Sequence, residues 1–325
     1  MVFTGFFLTF LQKSRGFLTQ THNKTLFHTK QKTTICFFLI FINTKTKHLT
    51  ESRHFYIFKT NFNIRKGKMT QIIAFANQKG GVGKTTTAIN IGTSLAAIKK
   101  RVLLVDLDPQ GNAGTGLGFE RASHRQSAYG VIMGTANAAD NILTTAIPNL
   151  HLLPSSQALA GTDIDMLGME NCEFRLRNAL QPIKDYYDYI LFDCPPALGY
   201  LTINALTAAD SVIVPLQCEF FALEGVQQLV DTITVVQEKW NPDLKILGVL
   251  LTMYDRRYGL TRAVDEDVRK TFGDLVFKTV VPRNVRVSEA LSHGKPALFY
   301  DFNSTGAQAY LRVATEVVER TTGDE

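Results

Sequence analysis

Residues 79–87 read Lys-Gly-Gly-Val-Gly-Lys-Thr-Thr-Thr, bracketed by the apolar run Ile72-Ile73-Ala74-Phe75-Ala76 and by helix-forming sequence. A glycine-rich turn between a strand and a helix commits the chain to a βα unit whose backbone N–H groups can approach a polyphosphate closely. The helix N-terminus adds the positive end of its dipole, Lys84 a point charge and Thr85 a hydroxyl suited to Mg²⁺. The usual spacing asks for glycine where this chain has Gln78, and in exchange the loop opens on a second lysine, Lys79. A lysine there is badly placed to reach the phosphates of its own loop. It is expected to act on a nucleotide held by another subunit, so the loop predicts a dimer as well as a ligand.

Two further apolar stretches end in carboxylates. Arg101 to Asn112 read Arg-Val-Leu-Leu-Val-Asp-Leu-Asp-Pro-Gln-Gly-Asn, a buried-type strand that runs out through Asp106 and Asp108 into a turn. Tyr189 to Pro196 read Tyr-Ile-Leu-Phe-Asp-Cys-Pro-Pro, with Asp193 at the strand's C-terminal end. In an open parallel sheet the carboxyl ends of strands share one rim, and ligands bind there. Three such strands would bring the loop, Asp108 and Asp193 together. Asp193 is then placed to hold a water in a metal shell, which Asp106 supports; for Asp106 and Asp108 alike the alternative is a structural carboxylate that caps the turn at Pro109.

The lysine-first loop, the Asp-Leu-Asp-Pro-Gln-Gly-Asn segment and the Asp-Cys-Pro-Pro segment together resemble the ParA/Soj partition ATPases, within the deviant Walker A group that includes MinD. The resemblance runs from residue 70 to about 320 and takes in Gln217 to Gly225 and Val281 to Arg286. It implies ATP and Mg²⁺, with the phosphates cradled by Gly80, Gly81, Val82, Gly83, Lys84, Thr85 and Thr86. It gives Asp108 the attacking water, Lys79 a role in trans like that of an arginine finger, and Pro282 and Asn284 the adenine pocket. It further implies an ATP-bound homodimer on nonspecific double-stranded DNA, with Arg257 and Arg286 as contacts. A ParB-type partner would trigger hydrolysis, and the expected location is cytoplasmic, on the nucleoid.

Alternating strands and helices without a linker after residue 69 predict one α/β domain, a mostly parallel twisted sheet with helices on both faces. Ile91, Leu95 and Ile98 share one helical face, and Val226, Leu229, Val230, Ile233 and Trp240 another. Strand-like runs follow at Ser211 to Leu216, Lys245 to Met253 and Val276 to Val281. Cys36, Cys172, Cys194 and Cys218 are too scattered for a zinc site, a redox pair or the paired ligands of an iron–sulfur ATPase. They read as reduced core thiols. His124, His151 and His293 form no ligand-like cluster.

A MinD-like membrane ATPase is the alternative, and it needs a basic amphipathic C-terminal helix. Here Tyr310, Leu311, Ala314, Val317 and Val318 make one apolar face, but Glu316, Glu319 and the terminal Gly323-Asp324-Glu325 are acidic or neutral. That face is expected to pack on the core, without stable membrane association.

The net charge of +6 is unevenly spread: residues 1–68 hold 12 of the 35 Lys/Arg and one of the 29 Asp/Glu, leaving 23 basic and 28 acidic residues beyond them. A polyanion would therefore need a local patch, for which Arg256, Arg257, Arg262, Arg269, Lys270, Lys278, Arg283 and Arg286 are candidates. The rival reading pairs these cations with Asp255, Asp265 or Glu289.

The first 68 residues lack Ala, Asp and Pro, hold 12 of the 22 Phe and are crowded with Lys, Asn, Thr and Ile. Transit peptides are basic and acid-poor but also Arg- and Ser-rich, and the longest apolar run here, Ile35 to Ile42, is too short to span a membrane. Translation of AT-rich DNA upstream of a gene accounts better for the composition. The native chain is expected to start at Met69, directly before the first strand. Intact-mass measurement on protein isolated from its own host should give a mass beginning there, and a species retaining residues 1–68 would overturn this expectation.

Overall fold

The computed structural model describes residues 69–120, 127–220 and 222–323. Residues 1–68, with Cys36 and the segment expected to precede the native start, lie outside the described residues, as do His124, Asp324 and Glu325. The sheet has seven strands: β1 (Gln71–Phe75), β2 (Val102–Asp106), β3 (Leu143–Thr144), β4 (Leu150–Leu153), β5 (Tyr189–Asp193), β6 (Ser211–Gln217) and β7 (Lys245–Thr252). Their order is β3-β4-β2-β5-β1-β6-β7, and every pairing is parallel except the short β3/β4 edge. The helices that frame the site are α1 (Lys84–Ala97), α2 (Asn112–Gly116), α3 (Tyr200–Ala208), α4 (Ala222–Lys239), α5 (Gly259–Phe272), α6 (Val285–Ser292) and α7 (Thr305–Thr322). This is the single α/β domain expected.

Burial explains why the central strands read as unbroken apolar runs. Every residue of β2 and β5 is buried, because helices cover both faces of the sheet and neither set of alternating side chains sees water. Ile73, Phe75, Leu104, Leu191 and Leu250 join Ile89, Leu95, Tyr310 and Val317 in one core. Ile72, Ala74, Leu103, Ile190 and Val249 join Leu206, Val226, Leu229 and Val268 in the other. Alternation along each strand thus sorts residues between the α1/α7 side and the α3/α4/α5 side.

Four local features differ from the sequence reading. Ile98 lies just beyond the end of α1 and is 46% exposed, because the chain turns at Lys99, whose φ is +65°. Trp240 follows α4 and is only partly buried. The β3/β4 hairpin edge was not anticipated, since a two-residue strand leaves no periodicity.

The fourth is the Val276 to Val281 run, which follows β7 without becoming a strand. It makes single bridges at Val276 and Pro282, with Phe277 N–H donating to Val249 C=O at 3.0 Å and Val281 N–H to Leu251 C=O at 2.8 Å. Between them the ladder is interrupted by a side chain: Glu316 on α7 accepts both Lys278 N–H and Thr279 N–H at 2.8 Å.

The apolar face of α7 packs as expected, with Tyr310, Ala314 and Val317 buried and Leu311 and Val318 half-buried. No helix among the described residues is long and apolar enough to cross a membrane. Replacing Glu316 removes the acceptor for two backbone donors, one on exposed Lys278 and one on half-buried Thr279. Glu316→Ala is expected to lower stability by about 1 kcal/mol, read as an earlier urea midpoint with an unchanged slope; an unmoved midpoint would contradict the bridging role.

Candidate functional site

The site is built on the middle of the sheet, where β5 lies between β1 and β2. The parallel register sets Phe75 level with Asp193 and Asp193 level with Asp106. Main-chain bonds continue past the strand ends, from Leu107 N–H to Asp193 C=O at 3.0 Å and from Cys194 N–H to Phe75 C=O at 3.2 Å. The phosphate-type loop therefore leaves β1 beside both buried carboxylates.

Gly81 and Gly83 hold φ at +75° and +89°, the left-handed region that lets the loop curl before α1 begins. A Cβ added at Gly80 or Gly81 would meet nothing within 4 Å, so the loop's outer face is open. Lys84 opens α1, is buried at its root and donates from Nζ to Lys79 C=O at 3.1 Å. Burial pulls its pKa down, while Asp193, Cys194 and Asp108 act in the opposite sense. Thr85 and Thr86 follow in the first turn, where helical N–H groups have no partner within the helix.

Asp193 is fully buried, and no backbone N–H among the described residues reaches either carboxylate oxygen. Burial and the neighbouring Asp106 hold its pKa well above the usual carboxylate range, while the Thr85 hydroxyl and the Lys84 ammonium pull it down. A buried carboxylate without backbone donors, beside a threonine hydroxyl, is a donor set for a hard divalent cation. The residues present fit Mg²⁺.

Asp106 is differently employed. Its Oδ1 accepts from Asp108 N–H at 3.1 Å, and its Oδ2 from Ala113 N–H at 3.0 Å and Gly114 N–H at 3.4 Å. Burial pushes its pKa up to about 7 against those hydrogen bonds. The turn-capping alternative is thus present in the structure, alongside a position one strand from Asp193. Asp108 is half-buried, and its Oδ1 accepts from Gln110 N–H at 2.9 Å. No donor among the described residues meets its Oδ2.

Lys79 is turned toward its own chain. Its Nζ lies 2.6 Å from Glu219 Oε2, and its N–H donates to Asn77 Oδ1 at 2.9 Å. Asn77 donates in turn to Pro215 C=O at 2.8 Å. Pro282 is half-buried beside Tyr254. Asn284 caps α6, accepting from Arg286 N–H at 2.8 Å and donating to Thr305 Oγ1 at 2.7 Å.

The two arginines singled out for DNA are both ion-paired. Arg257 makes a two-pronged contact with Asp255 at 2.9 and 2.6 Å, which holds the Asp255 carboxyl down at about 2. Arg286 lies 2.9 Å from Glu289 and 3.7 Å from Asp301. Arg269 pairs with Asp265 at 2.7 Å. Among the described residues no carboxylate lies within ion-pair distance of Arg256, Arg262, Lys270, Lys278 or Arg283.

Several site residues carry no motif. Thr252 ends β7 and donates to Val82 C=O at 2.7 Å, and Met253, at φ +48°, comes within 3.6 Å of where a Gly83 Cβ would stand. Asn77 belongs with them, and Glu219 lies in the Gln217 to Gly225 segment, to which the sequence assigned no role at the site. These contacts join residues 138 to 170 positions apart, so no local spacing could have shown them. Cys172, Cys194 and Cys218 are buried free thiols.

A glycine loop between β1 and α1, with buried carboxylates on the two neighbouring strands, defines a P-loop nucleotide-binding protein of the α/β class. A family model described as an AAA domain matches residues 70–246. The sporulation initiation inhibitor protein Soj of Bacillus subtilis is 55% identical over 249 residues, covering 77% of this chain and 98% of that protein. The chromosome partitioning protein ParA of Caulobacter vibrioides is 55% identical over 252 residues, covering 77% of this chain and 94% of that one. Among solved structures, cobyrinic acid a,c-diamide synthase from Mycobacterium smegmatis with bound ADP and magnesium superposes with a TM-score of 0.69 at 39% identity, over 78% of this chain and 96% of that one. The chain belongs to the ParA/Soj family of partition ATPases.

Asp106→Ala leaves the buried N–H groups of Ala113 and Gly114 without an acceptor. Thermal unfolding without nucleotide should show a loss of about 1–3 kcal/mol. Native stability in that variant would remove the capping role and leave Asp106 to the metal shell alone.

Proposed function

We propose that the chain is an ATP-driven DNA-partition switch that cycles between a free monomer and a DNA-bound dimer. The observation that supports it best is the convergence of the Lys79 loop, Asp108 and Asp193 on one rim, in a chain sharing 55% identity with Soj and ParA over nearly their whole lengths.

ATP is the substrate. Loop amides from Gly80 to Thr86 and the Lys84 ammonium hold its phosphates, and Pro282 and Asn284 flank the adenine. Thr85 and Asp193 would hold Mg²⁺, with Asp106 supporting them from the next strand. When bound, the cation neutralises charge on the β- and γ-phosphates. Asp108, at the mouth of the turn, orients the water that attacks in line with the γ-phosphorus. Lys79 crosses to the partner subunit and stabilises the charge on the transferring phosphate.

Dimerisation doubles the basic surface. Arg286 exchanges the half-exposed Glu289 for a DNA phosphate at little cost, because surface ion pairs contribute little, whereas Arg257 reaches DNA with its exposed guanidinium while the buried Asp255 holds it from behind. A ParB-type partner accelerates hydrolysis, the dimer parts, and the chain leaves the nucleoid for the cytoplasm. The MinD-like alternative is disfavoured because the apolar face of α7 is spent on the core.

Retention on nonspecific duplex DNA, measured with ATP, ADP and no nucleotide, tests the reading. ATP is expected to be required, and log affinity should fall with log salt by about 0.9 per phosphate contacted. Lys84→Ala should lose ATP and DNA binding together, whereas Arg257→Glu with Arg286→Glu should lose DNA alone. Equal affinity in all three nucleotide states would sink the switch, and undiminished affinity in the double variant would sink the patch.

A further inference from the structure

Lys79 is the residue on which dimerisation turns in the proposed cycle, yet in the single chain it is fastened at three points. Asn77 accepts its N–H at 2.9 Å, Lys84 Nζ donates to its C=O at 3.1 Å, and Glu219 takes its ammonium at 2.6 Å. Each fastening is anchored in a different part of the rim. Asn77 is tied to Pro215 in β6, Lys84 begins α1, and Glu219 sits between β6 and α4, where its C=O accepts Ala222 N–H at 3.1 Å. A lysine held in this way points back along its own chain.

We propose that Glu219 is a latch on Lys79, a positioning residue that withholds the lysine from a second copy of this chain and so sets the threshold for ATP-dependent dimerisation. The inference rests on the in-trans role given to Lys79 above. Nucleotide binding weakens the latch through Lys84. That ammonium cannot serve a phosphate and the Lys79 carbonyl equally, so loading the loop draws away one of the three fastenings. The remaining ion pair is 39% exposed at lysine and 46% at glutamate, which keeps it in the range of pairs that water and salt can open. A deeper pair would be too costly to break on each cycle. A fully exposed one would hold nothing.

Sedimentation equilibrium of the full chain with Mg²⁺ and a slowly hydrolysed ATP analogue tests the latch. Glu219→Gln removes the charge, and Glu219→Asp keeps the charge but withdraws it by one methylene. Both variants are expected to lower the half-dimerisation concentration about two- to fivefold, the range of an exposed pair. In about 1 M salt, where the Debye length is about 3 Å, native protein and Glu219→Gln should converge. A merely structural glutamate would show no such convergence, and a single cooperative thermal transition within about 4 °C of native in the nucleotide-free variants will confirm an intact fold.

In a Lys79→Ala background Glu219→Gln should confer no gain. If Lys79→Ala fails to dimerise while Glu219→Gln dimerises no better than native, the latch is wrong and the in-trans role stands. If Lys79→Ala dimerises like the native chain, the in-trans role falls and the latch falls with it.

Discussion

The placement of β5 between β1 and β2 is the constraint on which the rest of the structure depends. Parallel pairing on both sides fixes Asp193 level with the end of β1 and with Asp106, and buries it completely. A carboxylate in that position is cut off from solvent, so desolvation and its neighbour Asp106 raise its pKa together, against the pull of the Thr85 hydroxyl and the Lys84 ammonium. Such a group destabilises the free chain and is relieved by a cation. The sheet thus stores an electrostatic cost at the rim, next to the loop where a metal-bearing polyphosphate would arrive.

Much of this arrangement was legible along the chain because the elements that carry it are local. The lysine-first loop is contiguous, and Asp106, Asp108 and Asp193 each end an apolar run whose direction in a parallel sheet is set by topology. What could not be read depends on contacts between distant segments. Glu219 reaches Lys79 across 140 positions and Thr252 reaches Val82 across 170. The Val276 to Val281 run misled for a related reason: its composition is that of a strand, but Glu316 takes the two donors that a continuous ladder would have used. The arginine pairs were an open alternative in the sequence and are present in the structure, where Asp255 and Glu289 occupy the cations proposed for DNA.

Those pairs and the Lys79–Glu219 contact share one physical character. Each joins a cation needed elsewhere to a carboxylate on the same chain, at the surface or near it. Where the carboxylate is itself half-exposed, as at Glu219 and Glu289, such a pair keeps a mobile cation ordered at little cost to its later exchange, while the buried Asp255 holds Arg257 more firmly. A chain with 23 basic and 28 acidic residues after residue 68 has carboxylates enough to neutralise its working cations until a phosphate displaces them.

The edge of the sheet beyond β7 is closed by the end of the chain. Arg320 donates to the carbonyls of Leu247, Leu275 and Val276 at 2.8 to 3.0 Å, and its guanidinium stacks over Phe277 at 4.3 Å. Glu316 holds the same segment one turn earlier. During synthesis β7 and the run beside it leave the ribosome before α7 does, so the backbone donors and carbonyls that Glu316 and Arg320 take up stay open until α7 has formed. Unpaired edges of this kind are templates for pairing with other chains. For a growing chain, α7 is therefore the cover of that edge as well as a wall of the core.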